Sequence, residues 1–125
     1  MAEISEVTAR LLDYVSYDTQ SEDDRESVPS TKKQFELAHK LVGELKELGA
    51  SQVRMSEQGY VYACIPSNLE EGKTSPALGF IAHMDTTDDA SGENVNPQIH
   101  PNYDGGKVVL PATGTVLDPA QFPFL

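Results

Sequence analysis

Ala77-Leu78-Gly79-Phe80-Ile81-Ala82-His83-Met84-Asp85 is the stretch that sets the fold class of this chain. Its first six residues are apolar without alternation, which predicts a strand covered on both faces inside an α/β sheet. Polar chemistry begins only where that strand would end, at His83 and Asp85. In open α/β sheets ligands bind in the crevice outside the carboxyl ends of the strands, so the position favours function. If the backbone stays extended, His83 and Asp85 are two apart and share a face. Asp85 would then orient the imidazole or accept its proton while the other ring nitrogen holds a metal.

Upstream of this stretch, Gln52-Val53-Arg54-Met55 alternates and Tyr60-Val61-Tyr62-Ala63-Cys64-Ile65 is rich in strand formers. With Gly59 as the turn between them, the two predict a hairpin. Before it, Phe35, Ala38, Leu41, Val42, Leu45 and Leu48 keep a helical period that Gly49 ends. Thr31 and Gln34 form a capping-box pattern at its start. Ile4, Val7, Leu11, Leu12, Tyr14 and Val15 place an apolar stripe on a first helix from about Glu3 to Val15. Between the helices, residues 16–29 are acidic and without apolar period, which reads as a solvated loop. Downstream, 88–106 is loop-like, and Lys107-Val108-Val109-Leu110 makes at most one short strand. The expected architecture is α/β, a partial mixed sheet flanked by helices.

Of 125 residues, 38% are hydrophobic and 23% charged, so a globular chain with a real core is expected. Nine Lys and Arg oppose twenty Asp and Glu, a net charge of −11 that repels nucleic-acid phosphates and anionic membrane surfaces. The single cysteine, Cys64, excludes an intramolecular disulfide and a thiolate cluster, leaving oxygen and imidazole as ligands. The first residues show neither a basic nor an apolar leader region, which points to a cytoplasmic location. The closing Pro119-Ala120-Gln121-Phe122-Pro123-Phe124-Leu125 is strongly apolar, as expected of a chain cut in mid-fold.

As a bare pattern His-x-Asp is weak, since a histidine and an aspartate also close strands by bonding nearby backbone. A catalytic zinc needs about three protein ligands, and no second cluster clearly completes the set here. His39 lies off the apolar stripe of the second helix and reads as a surface residue. His100, near Tyr103 and Asp104, is a weaker candidate for substrate contact. Cys64 reads as a buried structural thiol. Asp88, Asp89 and Glu93 would attract a cationic group if they are more than a solvated loop, and Gly105-Gly106 reads as a turn.

Residues 79–86, Gly-Phe-Ile-Ala-His-Met-Asp-Thr, resemble the M20 family of metallopeptidases, whose buried strand ends in His-x-Asp. Ser91-Gly92-Glu93-Asn94-Val95-Asn96-Pro97-Gln98-Ile99 and Asn102-Tyr103-Asp104-Gly105-Gly106 resemble its tripeptide aminopeptidases in particular. So do 12–21, Leu-Asp-Tyr-Val-Ser-Tyr-Asp-Thr-Gln-Ser, and Leu45-Lys46-Glu47-Leu48-Gly49. The resemblance covers essentially the whole chain. It implies a cytosolic exopeptidase with two Zn2+ ions, in which His83 is a zinc ligand and Asp85 the catalytic-site aspartate that positions the imidazole. One histidine and one carboxylate suit cobalt or manganese as well. It further implies that residues 1–125 are the N-terminal portion of a catalytic domain, with the remaining ligands, the glutamate base and the dimerisation domain beyond them. The implied partners are a short peptide substrate, the remainder of the catalytic domain and, for the complete enzyme, a second subunit, with no nucleic acid and no membrane. A competing reading is a non-catalytic acidic module that binds a protein through strand edges and its apolar tail.

Overall fold

The computed structural model describes residues 4–124, which fall into two compact units, 4–97 and 98–124. The expected start of the first helix at Glu3 and the last residue of the apolar tail, Leu125, lie outside the described residues.

The larger unit begins with α1 (Glu6–Tyr14). Ser5 holds extended backbone angles and its hydroxyl accepts from the Thr8 N–H at 3.2 Å, satisfying one of the donors that a helix start leaves unpaired. The expected apolar stripe is largely uncovered, with Val7 and Leu11 exposed. What ties α1 to α2 (Gln34–Glu47) is polar: the Tyr14 hydroxyl donates to Glu44, and the Lys40 ammonium reaches Asp13 at 2.9 Å and Glu44 at 3.4 Å.

The expected capping box is replaced by a different use of the same residues. Thr31 Oγ1 donates to the Gln20 carbonyl at 2.7 Å, and Gln34 Nε2 donates to that hydroxyl at 3.2 Å. The hydroxyl is therefore spent on a distant strip of chain, and α2 starts two residues later than the pattern suggested. At the other end Gly49 takes φ +78° just past the helix, as expected.

α2 covers the hairpin of β1 (Ser51–Met55) and β2 (Val61–Cys64), which pair antiparallel with Arg54 opposite Tyr62 and a register irregularity between Ser51 and Arg54. The Arg54 guanidinium lies 3.9 Å from the Tyr62 ring centroid, a cation–π contact across the ladder. Gly59 closes the turn at φ +84°, and a Cβ there would come within 3.4 Å of the Phe35 ring.

The core is smaller than composition suggested. Among the described residues its buried hydrophobic side chains are Leu37, 6% exposed, and Ala38, fully buried. Cys64 is exposed rather than a buried thiol, at the end of a strand where Tyr62 and Ala63 are exposed as well. The loop after α1 is likewise not all solvated, for Thr19 is 3% exposed.

Residues 77–82 form no strand, in contrast to the expectation of a doubly covered one. Phe80 is 94% and Ile81 101% exposed. A strand needs a ladder partner, and among the described residues the sheets are two separate antiparallel pairs, neither of which includes this segment. The chain is mixed α/β as expected, with its sheet content in two small hairpins.

The smaller unit is built on β3 (Val108–Val109) and β4 (Val116–Leu117), with Val108 opposite Leu117. β3 falls within the short strand expected at 107–110, and β4 is its unforeseen partner. Lys107 Nζ and Asp118 Oδ2, 2.8 Å apart, close the open end of the pair.

Candidate functional site

His83 and Asp85 are brought together. Nδ1 of His83 lies 2.9 Å from the backbone carbonyl oxygen of Asp85 and 3.1 Å from its carboxylate Oδ1. A carbonyl oxygen only accepts, so Nδ1 carries the proton and donates to both oxygens. In the neutral ring the lone pair then sits on Nε2. The side chains are 85% and 45% exposed respectively, which leaves the ring accessible. This is the orientation in which an imidazole is held for metal ligation, with one nitrogen tied to a carboxylate and the other bare. The proximity comes from a local turn of chain rather than from the shared face of a strand.

The same stretch borders a groove of about 1010 Å³ whose lining includes Tyr14, Leu41, Tyr60, Phe80, His83 and Asp85. Its apolar walls are the face of α2 left open beside the hairpin and the uncovered side chains before His83. Among the described residues no group of three or more His, Cys, Asp or Glu is placed to hold a metal. His83 and Asp85 fit as one oriented donor; by themselves they do not make the set of about three that a zinc site needs.

The other candidates separate clearly. His39 is exposed, with Nδ1 2.7 Å from the Phe35 carbonyl of its own helix, as expected for a surface residue. Asp88, Asp89 and Glu93 are exposed, and the Asp89 carboxylate accepts from the Thr87 hydroxyl at 2.8 Å. Asp104 Oδ1 accepts from the Gly106 N–H at 2.9 Å, with Gly105 at φ +82°, so the glycine pair is a turn. His100 borders an open concavity of about 310 Å³ within the smaller unit, beside Tyr103 and Lys107.

Sequence reading missed the residues that support the site. Thr86, directly after Asp85, forms an isolated parallel bridge with Gln20. Asp18, two residues before Gln20, accepts from the Gln20 N–H at 3.0 Å and from Lys33 Nζ at 2.8 Å. The Lys33 ammonium first, and the Gln20 amide second, hold the Asp18 carboxyl below the usual carboxylate range. Residues 12–21 carry part of the family resemblance, but no periodicity announces this strip's role in the site, since its bonds are made by backbone and by short polar side chains that equally suit a solvated loop.

No family model matches the chain. Among known proteins it is 53% identical over 121 residues to the peptidase T of Clostridium acetobutylicum, an alignment covering 96% of this chain and 29% of that relative. The chain matches a portion of peptidase T. The peptidase T of Aliivibrio fischeri is 52% identical over 122 residues, covering 98% of this chain and 29% of the relative. That of Bacillus pumilus is 49% identical over 121 residues, covering 96% and 29%. The chain thus spans about 29% of the length of the peptidases T it matches, and the expected resemblance to that group of enzymes holds along nearly all of its residues. No helix among the described residues is long and apolar enough to cross a membrane.

Proposed function

We propose that this chain is the His-x-Asp segment of a zinc-dependent M20 aminopeptidase, cytoplasmic and dimeric when complete, that releases the N-terminal residue of tripeptides. The observation that carries the reading is the His83 ring, tied at Nδ1 by Asp85 and bare at Nε2, in a chain about half identical to peptidases T. In such an enzyme zinc supplies Lewis-acid polarisation of the scissile carbonyl and an acidified water. His83 would be one of its ligands. Asp85 would be the residue that keeps the proton on Nδ1 and so keeps Nε2 available. The carboxylate also stabilises whatever positive charge the ring gains when Nε2 donates its lone pair.

The remaining ligands and the general base have no counterpart cluster among the described residues, so no catalytic step is assigned to this chain alone. The exposed run from Leu78 to Ile81 supports a cover supplied by the remainder of a catalytic domain, because a contiguous apolar surface of this kind marks an interface.

Calorimetric titration of the 125-residue chain with Zn2+, beside His83→Ala, tests the reading, with tripeptide hydrolysis assayed on the same samples. The expected result is weak zinc binding that His83→Ala abolishes, without turnover. Binding of equal strength in His83→Ala would remove His83 as a ligand, and hydrolysis by the wild-type chain would show that it completes a site of its own.

A further inference from the structure

Residues 77–85 enter no strand, yet the His83–Asp85 pair is not left to a free loop, because the backbone is caught immediately after it. The Thr86 N–H donates to the Thr19 carbonyl at 3.2 Å, and the Thr86 carbonyl accepts from both the Ser21 N–H at 2.8 Å and the Ser21 hydroxyl at 2.9 Å. The peptide group joining Asp85 to Thr86 is planar, so fixing its N–H fixes the direction of its carbonyl oxygen. That oxygen is the Asp85 carbonyl that accepts from His83 Nδ1 at 2.9 Å. The tilt of the imidazole is therefore set from the far side of one peptide plane, by Thr19.

The strip from Thr19 to Ser21 is itself held in place. Asp18 binds the Gln20 N–H with Oδ1 and Lys33, at the start of α2, with Oδ2, while the Thr31 hydroxyl takes the Gln20 carbonyl. Further along the site loop, Gln20 Nε2 donates to the Ala90 carbonyl at 2.9 Å. A Cβ at Gly92 would lie 2.8 Å from Asp18 Oδ1, so the loop backbone rests directly against this carboxylate.

We propose that Asp18 is a positioning residue for the site: by anchoring the Thr19–Ser21 strip to α2 it holds the Asp85–Thr86 peptide in the orientation that keeps His83 protonated at Nδ1 and bare at Nε2. The proposal rests on the reading of His83 as a ligand, and deepens it by naming what orients the ligand from outside the His-x-Asp motif. Asp18 touches neither His83 nor Asp85; it acts through one strip of backbone.

The test uses the 15N-labelled 125-residue chain. Amide hydrogen exchange at Ser21 and Thr86 reports the clamp, and the ring 15N shifts of His83 report its tautomer, with His39 as an internal control. In Asp18→Ala both amides are expected to exchange about tenfold faster, the scale of one lost hydrogen bond to a charged group. The His83 ring shifts are expected to move toward a tautomer mixture while those of His39 stay fixed. Asp18→Asn, which keeps an oxygen acceptor for Gln20 and loses the charge facing Lys33, is expected to fall between Asp18→Ala and wild type. Unchanged exchange and an unchanged His83 tautomer in Asp18→Ala overturn the proposal, and should that variant lose the hairpin resonances as well, the same two readouts on Asp18→Asn decide. Zn2+ added to the wild-type chain separates the two ideas: a His83 ring that zinc does not perturb defeats the ligand reading while the clamp stands.

Discussion

Two apolar regions of this chain meet opposite fates. The hairpin of 51–64 and the segment 77–82 are both expected as strands, yet one is a paired ladder under a helix and the other is bare chain with Phe80 and Ile81 open to solvent. The difference lies in what each requires. A hairpin carries its ladder partner six to thirteen residues away, from Met55 opposite Val61 to Ser51 opposite Cys64, and needs one cover, which α2 supplies. A strand with no polar face needs neighbours on its edges and layers on both sides, all of them from distant sequence. Apolar content decides that a segment must be buried; the chain around it decides whether it is.

The largest expected effect separates the two regions by mutation. Leu37→Ala removes one of the buried hydrophobic side chains and is expected to cost about 2–5 kcal/mol, a loss that lowers the unfolding midpoint of the larger unit. Phe80→Ser alters a fully exposed residue and is expected to change stability by less than about 0.5 kcal/mol while lowering self-association. Urea titration followed by circular dichroism reads the first effect and light scattering the second. Equal destabilisation by the two variants would mean that 77–82 is packed in solution.

That contrast also marks how far sequence could be read. Elements whose partners are local were legible: the period of Phe35 to Leu45, the stop at Gly49, and the Gly59 turn between alternating runs all encode their structure within a few residues. The start of α2 was misread because Thr31 spends its hydroxyl on Gln20, a partner eleven residues upstream that no local pattern specifies. Leu37 escaped the stripe, since tertiary packing and not apolar spacing alone sets which residues of α2 are covered. At the site, His83 and Asp85 could be singled out, for two residues apart in sequence they need only a turn to meet. Thr19, Gln20 and Ser21 could not, because a parallel backbone bridge leaves no signature in side-chain type.

Within the hairpin and the helix joint the expected effects are smaller. Gly59→Ala places a Cβ at φ +84° and 3.4 Å from Phe35, so the hairpin is expected to lose about 1–2 kcal/mol, read as a lower urea midpoint with Leu37 still in place. The joint between α1 and α2 responds to alkali instead. Burial first, and then the hydrogen bond to Glu44, push the Tyr14 hydroxyl up from 10.0 to about 12. Its unfolded form therefore loses a proton before the folded one does, and the stability it contributes is complete below pH 10 and lost as pH rises through about 12. Hydrogen bonds to Asp13 and then to Glu44 hold Lys40 above the ordinary lysine range, with the same sign and an overlapping window. Tyr14→Phe is expected to flatten part of this alkaline slope and leave the part due to Lys40, measured by urea unfolding at stepped pH. A slope unchanged by Tyr14→Phe would assign the joint to Lys40 alone.

The smallest expected effect probes the uncovered side of the hairpin. Cys64 ends β2 in the open, so a thiol reagent is expected to modify the native chain within about threefold of its rate on the unfolded chain, where access no longer differs. A chain labelled in this way should keep the pairing of β1 and β2, because the cysteine contributes its backbone to the ladder opposite Ser51 and its side chain to nothing that is buried. Protection of a hundredfold or more would place a second layer over the hairpin in solution. The hairpin would then have found the double cover that 77–82 lacks, and the division between a region satisfied by its neighbours and one awaiting distant partners would have to be redrawn along the face of β2.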